Sequence, residues 1–172
     1  MNAYKFRQDT FKLLSLIESY SIIVLTGPVG CGKTAVLKEL SEITDGTYVD
    51  FSQIDTSARV QVMDTLKTAM NGNLTVEFFL DAVTSLDDYE NLLAEIQDTF
   101  VTTRSHSRYK IIIAGSSQPE FLKSVSLIFG ARVHVYEMGY YAFCDFYERK
   151  HSKVLYQNLH QLNDSLTVDE YD

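Results

Sequence analysis

Gly27-Pro28-Val29-Gly30-Cys31-Gly32-Lys33-Thr34 meets the pattern G-x-x-x-x-G-K-[ST] at each of its fixed positions. An apolar run, Ile22 to Leu25, precedes it, and the helix-forming stretch Ala35 to Leu40 follows. Strand, loop, helix is the context in which this pattern binds phosphate. The glycines let successive backbone N–H groups curl around an anion with no Cβ in the way, and the helix behind them turns the positive end of its dipole toward the phosphates. The expected nucleotide-binding residues are Gly27, Pro28, Val29, Gly30, Cys31, Gly32, Lys33, Thr34 and Ala35. Lys33 is expected to place its ammonium against the β and γ phosphates, and Thr34 to offer its hydroxyl to Mg²⁺.

Composition narrows the setting. The chain has 172 residues, 45% hydrophobic and 22% charged, as in a single domain with one core. With 23 acidic against 15 basic residues, the net charge of -8 disfavours nucleic acid or an acidic membrane surface as an electrostatic partner. No apolar run approaches the ~18 residues needed to span a bilayer, and Met1 to Gln8 lacks the layout of a signal peptide, so a cytoplasmic protein is expected. Cys31 and Cys144 are far apart and have no metal-ligand spacing, which predicts reduced thiols.

Working outward, Thr10 to Ser19 reads as an amphipathic helix feeding a first strand, Ile22 to Thr26. Thr47 to Phe51, introduced by Asp45-Gly46, predicts a second strand, and Ala58 to Met70 a helix closed by Asn71-Gly72-Asn73. Val76 to Asp81 is a mostly apolar run ending on a carboxylate, as a buried third strand carrying a metal-side acid would. Asp87-Asp88 opens a helix whose buried stripe is Tyr89, Leu92, Leu93, Ile96 and Phe100. Lys110 to Gly115 predicts the fourth strand, closed by Ser116-Ser117. Pro119 then starts a helix to Phe129, and Arg132 to Tyr136 alternates as a fifth strand. Strands separated by helices predict a three-layer α/β fold, a parallel five-stranded sheet wrapped on both faces. The core is placed at residues 1–150. Residues 151–172 read as a C-terminal helix and acidic tail, the stub of a missing domain if the chain is a fragment.

Asp81 ends its strand where a phosphate-loop protein keeps its second magnesium contact, usually through a water. Ser116 and Ser117 end the next strand, where a hydroxyl can touch the γ-phosphate or the attacking water if that strand runs between the first and third. Serine at such a point also caps helices.

These features together are specific. The phosphate loop, the strand ending in Asp81, the Gly115-Ser116-Ser117 strand end, and Arg132-Val133-x-Val135-Tyr136-Glu137 followed by Phe143-x-Asp145-Phe146 resemble the prokaryotic AAA-like ATPases whose core is usually followed by winged-helix and nuclease-like domains. The resemblance spans roughly Arg7 to Tyr147. It implies sheet order 5-1-4-3-2, ATP with Mg²⁺ rather than GTP, Ser116 as the polar sensor, and work as an oligomer. It also makes Arg132 a candidate arginine finger, although Ala131 stands where the family usually has glycine, and a surface cation at a strand start is the competing reading.

Two departures matter. The family pattern has a glutamate after the strand-end aspartate to orient or deprotonate water, and here Asp81 is followed by Ala82, whose methyl cannot accept a proton. Glu77 lies four residues back along the strand, about 13 Å away. Asp50, at the end of the second strand, is the best substitute, because recombinase-like relatives in the superfamily keep a catalytic acid on such an adjacent strand end. The second departure is that the chain stops soon after the core.

Other signals are weaker. Arg104, His106, Arg108 and Lys110 precede the fourth strand, at the sheet edge opposite the nucleotide, and read as a solvated loop. The aromatic run Tyr140, Tyr141, Phe143, Phe146 and Tyr147 reads as core or a protein-docking face. No Asn-Lys-x-Asp stretch exists for reading guanine, and no arginine lies between Ser116 and Phe129 to form the lid of a small-molecule kinase. The function expected is an ATP-binding AAA-like module, a slow or partner-dependent ATPase used as a switch. The alternative is a catalytically inactive nucleotide-binding or assembly protein.

Overall fold

In the computed structural model the described residues are 7–71, 76–102 and 109–140, with backbone alone for residues 56, 70 and 71. The chain divides into one unit of Gln8–Tyr140 and another of Met1–Arg7 with Tyr141–Asp172, and the sheet with its helices belongs to the first. The expected aromatic helix beyond Tyr140, the tail 151–172, and Arg104, His106 and Arg108 lie outside the described residues.

The elements run α1 (Gln8–Ser19), β1 (Ile22–Thr26), α2 (Lys33–Thr44), β2 (Thr47–Asp50), α3 (Thr56–Asn71), β3 (Val76–Asp81), a 3-10 turn (Val83–Ser85), α4 (Tyr89–Thr102), β4 (Tyr109–Ala114), α5 (Pro119–Phe129), a second 3-10 turn (Gly130–Arg132) and β5 (His134–Glu137). All strand pairs are parallel, in the order β2-β3-β4-β1-β5, which is the expected 5-1-4-3-2 read from the other edge.

The strands read as apolar runs because both faces of the sheet are covered. Alternate residues serve opposite layers. Ile23, Leu25, Phe79, Ile112 and Ala114 pack with Leu13 and Ile17 of α1 and Val36, Leu37 and Leu40 of α2. Ile22, Val24, Phe78, Leu80, Ile111 and Ile113 pack with Leu66 of α3, Leu92, Leu93 and Ile96 of α4, and Phe121 and Val125 of α5. Among the described residues no helix is long and apolar enough to cross a membrane.

The helices α1 and α3 start two residues earlier than expected, β4 is shifted by one, and two further boundaries bear on the site. Phe51 leaves β2 and is buried in the layer of α3, α4 and α5. Arg132 is not the start of β5. Gly130, at φ 57, ends α5, and the 3-10 turn Gly130–Arg132 follows, so β5 begins two residues later.

Candidate nucleotide site

Parallel α/β sheets bind ligands outside the carboxyl ends of their strands, where the strand order reverses. Here that edge collects Thr26, Asp50, Asp81 and Ala114 at the ends of β1, β2, β3 and β4. The loop 27–32 leaves β1 and delivers α2, whose preceding residue Gly32 is left-handed at φ 96, ψ 23, a conformation that costs most side chains energy. Gly27 has φ 150, and a Cβ there would lie 2.3 Å from the Met138 carbonyl oxygen. Only glycine lets the loop pass that close to the end of β5.

Lys33 folds over the loop, its ammonium donating to the carbonyl oxygens of Gly27 (2.8 Å) and Pro28 (3.0 Å). Gly30, Gly32, Lys33, Thr34, Ala35 and Lys38 line a cleft of about 470 Å³. Cys31 is buried beneath the loop, whereas Val29 at its tip is 88% exposed.

Asp81 is only 3% exposed. Its Oδ1 accepts from the Ala82 N–H (2.8 Å) and its Oδ2 from the Tyr48 hydroxyl (2.9 Å). Burial, the hydrogen bond to Asp81 and the charges of Asp81 and Asp50 push the Tyr48 phenol well above its ordinary range, so it stays a proton donor. The Lys38 ammonium sits 5.3 Å from the centre of the same ring. Asp50 stands opposite Asp81 in the β2–β3 register, on strands that run about 4.8 Å apart. Its Oδ1 accepts from the Ser52 N–H (3.0 Å) and the Ser52 hydroxyl (2.6 Å).

Ser116 is held from both sides. Its N–H donates to Thr84 Oγ1 (3.2 Å), and its carbonyl accepts from the Thr26 hydroxyl (3.2 Å). Its own Oγ is buried without a hydrogen-bond partner, which is costly unless a ligand or water supplies one. Ser117 is exposed, and the residue capping α5 is Gln118, so the capping alternative for Ser117 fails. Arg132 is exposed on its 3-10 turn. Ala82 takes the left-handed conformation (φ 54, ψ 33) that opens the turn Val83–Ser85.

The fold thus brings Lys33, Thr34, Asp50, Asp81 and Ser116 to one edge of the sheet. Sequence reasoning missed Tyr48, Lys38, Thr26 and Thr84. Tyr48 had a signal: two residues before Asp50, it shares a strand face with it, beside the strand that ends in Asp81. Three-residue turns carry no periodicity, so Thr84 had none.

The sequence matches the AAA domain family over residues 19–147. The chain belongs to that family. It is a nucleotide-binding P-loop module with the AAA α/β fold. No curated protein sequence matches it. Similar solved structures include PCH-2 of C. elegans, at 16% identity and TM-score 0.56 over 80% of this chain and 45% of that one. Another is the RuvB Holliday junction branch migration motor of Thermotoga maritima, at 17% identity and TM-score 0.54 over 84% and 49%. At those identities the likeness is one of fold. This AAA chain spans about half the length of either structure.

Proposed function

We propose that this AAA module binds ATP with Mg²⁺ and is a slow or partner-dependent ATPase whose nucleotide state acts as a switch. The observation that carries the reading is the meeting of the Lys33 loop, the buried Asp81 carboxylate and the unpartnered Ser116 hydroxyl at one strand edge. A cationic loop, a hydroxyl at Thr34 and a carboxylate form the donor set that a magnesium nucleotide fits. The loop from Gly27 to Ala35 holds the phosphates through the backbone N–H groups of its residues other than Pro28, which shapes the loop and has no N–H, and through the Lys33 ammonium. Thr34 and Asp81 hold the metal, and Ser116 senses the γ-phosphate. Mg²⁺ bound there would supply neutralisation of phosphate charge. Asp50 is the acid nearest Asp81 along the strand ends and is assigned to the attacking water. Arg132, exposed, is the candidate finger toward a neighbouring copy. The partners proposed are a second copy or another protein in the cytoplasm; the acidic chain disfavours nucleic acid.

Lys33→Ala is expected to weaken ATP binding about 10- to 100-fold, the loss of a charged hydrogen-bond donor. It also sets the blank for turnover at high protein concentration. Asp50→Asn is expected to keep ATP affinity within about twofold while cutting turnover by about 10² or more. Unchanged turnover in that variant removes Asp50 from the reaction. A second reading, an inactive nucleotide-binding assembly protein, is favoured by Ala82 and by the hold of Ser52 on Asp50 Oδ1. Saturable ATP binding with no turnover above the Lys33→Ala blank, alone and with added partner, selects it.

A further inference from the structure

Asp81 has two donors of different kinds. The Ala82 N–H belongs to the next residue and travels with Asp81 wherever the strand end goes. The Tyr48 hydroxyl comes from another strand, 33 residues away in sequence, and its hydrogen bond fixes the carboxylate relative to the sheet. The Tyr48 ring is held in turn, half-buried on the face of α2, with the Lys38 ammonium over it. Lys38 also lines the cleft beside Lys33 and Thr34. One side chain therefore touches the candidate metal acid with its hydroxyl and a cleft-lining cation with its ring. Partners of a ligating carboxylate set its orientation, and losing one typically costs 10–100-fold in metal affinity.

We propose that Tyr48 is a positioning residue of the metal site: its O–H holds Asp81 Oδ2, fixing the carboxylate's rotation and leaving its remaining lone pairs to Mg²⁺ or a magnesium-bound water. This rests on the magnesium-ATP reading above. The Tyr48→Phe variant keeps the ring and loses the hydroxyl. Binding of a fluorescent ATP analogue, titrated first in EDTA and then with Mg²⁺, separates nucleotide contacts from metal contacts. In Tyr48→Phe the Mg²⁺ concentration for half-maximal tightening is expected to rise at least about tenfold, with metal-free affinity unchanged within about twofold. In an Asp81→Asn background the same substitution is expected to add nothing, because Tyr48 acts through that carboxylate. An unchanged or lowered Mg²⁺ requirement, or equal effects of Tyr48→Phe in both backgrounds, overturns the positioning role. A wild type that binds the analogue with no Mg²⁺ dependence sinks the magnesium reading itself, and that result is seen before any variant is made.

Discussion

Ala82→Glu is expected to raise Mg²⁺-dependent ATP turnover by about 10²- to 10⁴-fold, the range a positioned general base contributes. Residue 82 is fixed from both sides: its N–H donates to Asp81 Oδ1 at 2.8 Å, and its carbonyl accepts from the Ser85 N–H at 2.9 Å. A side chain added there starts from a defined point, next to the acid assigned to the metal. The left-handed backbone is no new obstacle, since alanine already bears its cost of about 1–2 kcal/mol. Residue 82 is half-buried beside the Asp81 carboxylate, so a loss of stability of about 1 kcal/mol is expected alongside the gain in rate. Single-turnover hydrolysis with ATP saturating is the measurement. A flat rate, with binding intact and a wild type that is also inert, means that the edge has lost more of the catalytic geometry than one carboxylate, and the assembly reading gains. A flat rate over an active wild type leaves Asp50 as the working base.

The largest loss of stability is expected from Gly27→Ala. The new methyl carbon would stand 2.3 Å from the Met138 carbonyl oxygen and 3.1 Å from Cys31 Sγ, at φ 150. The first neighbour is backbone, and the Met138 N–H is itself tied to the Thr26 carbonyl at 2.8 Å, so the end of β5 must shift. Strain of about 1–3 kcal/mol at such a backbone and a similar cost of overpacking sum to roughly 2–6 kcal/mol. Thermal melting should fall by roughly 4–24 °C, at ~2–4 °C per kcal/mol for a chain of this length, and nucleotide affinity with it. Gly30→Ala is the control within the same loop. Its Cβ would meet nothing within 4 Å, so only the left-handed φ of 78 is charged against it, about 1–2 kcal/mol. Equal melting losses in the two variants would refute the Met138 argument.

Much of this was legible in the residues, and for identifiable reasons. Ile22–Thr26, Val76–Asp81 and Pro119–Phe129 have the bounds that the apolar runs and Pro119 set. Runs buried on both faces need no partner to be recognised, and proline marks the start of a helix by its missing N–H. The phosphate loop is read from contiguous residues, so its geometry followed directly. Arg132 was misplaced because Val133 to Tyr136 alternates and the alternation runs on across a turn that only the left-handed Gly130 reveals. Tyr48 and Thr84 act across 33 and 32 residues of chain, and contacts of that span are set by sheet order and register rather than by spacing.

The sheet is not equally firm from end to end. β1 is buried at every residue and lies between β4 and β5. β2, exposed or half-buried throughout, is paired among the described residues to β3 alone. Local opening costs least where few apolar contacts and few ladder bonds must be given up. The amides of β1 should therefore exchange with solvent only on global unfolding, while those of β2 exchange through a cheaper partial opening. The phosphate loop is rooted in the slow-exchanging centre. Tyr48 and Asp50 ride on the fast-exchanging rim, so the grip on Asp81 can be released and remade without melting the strand that carries the loop.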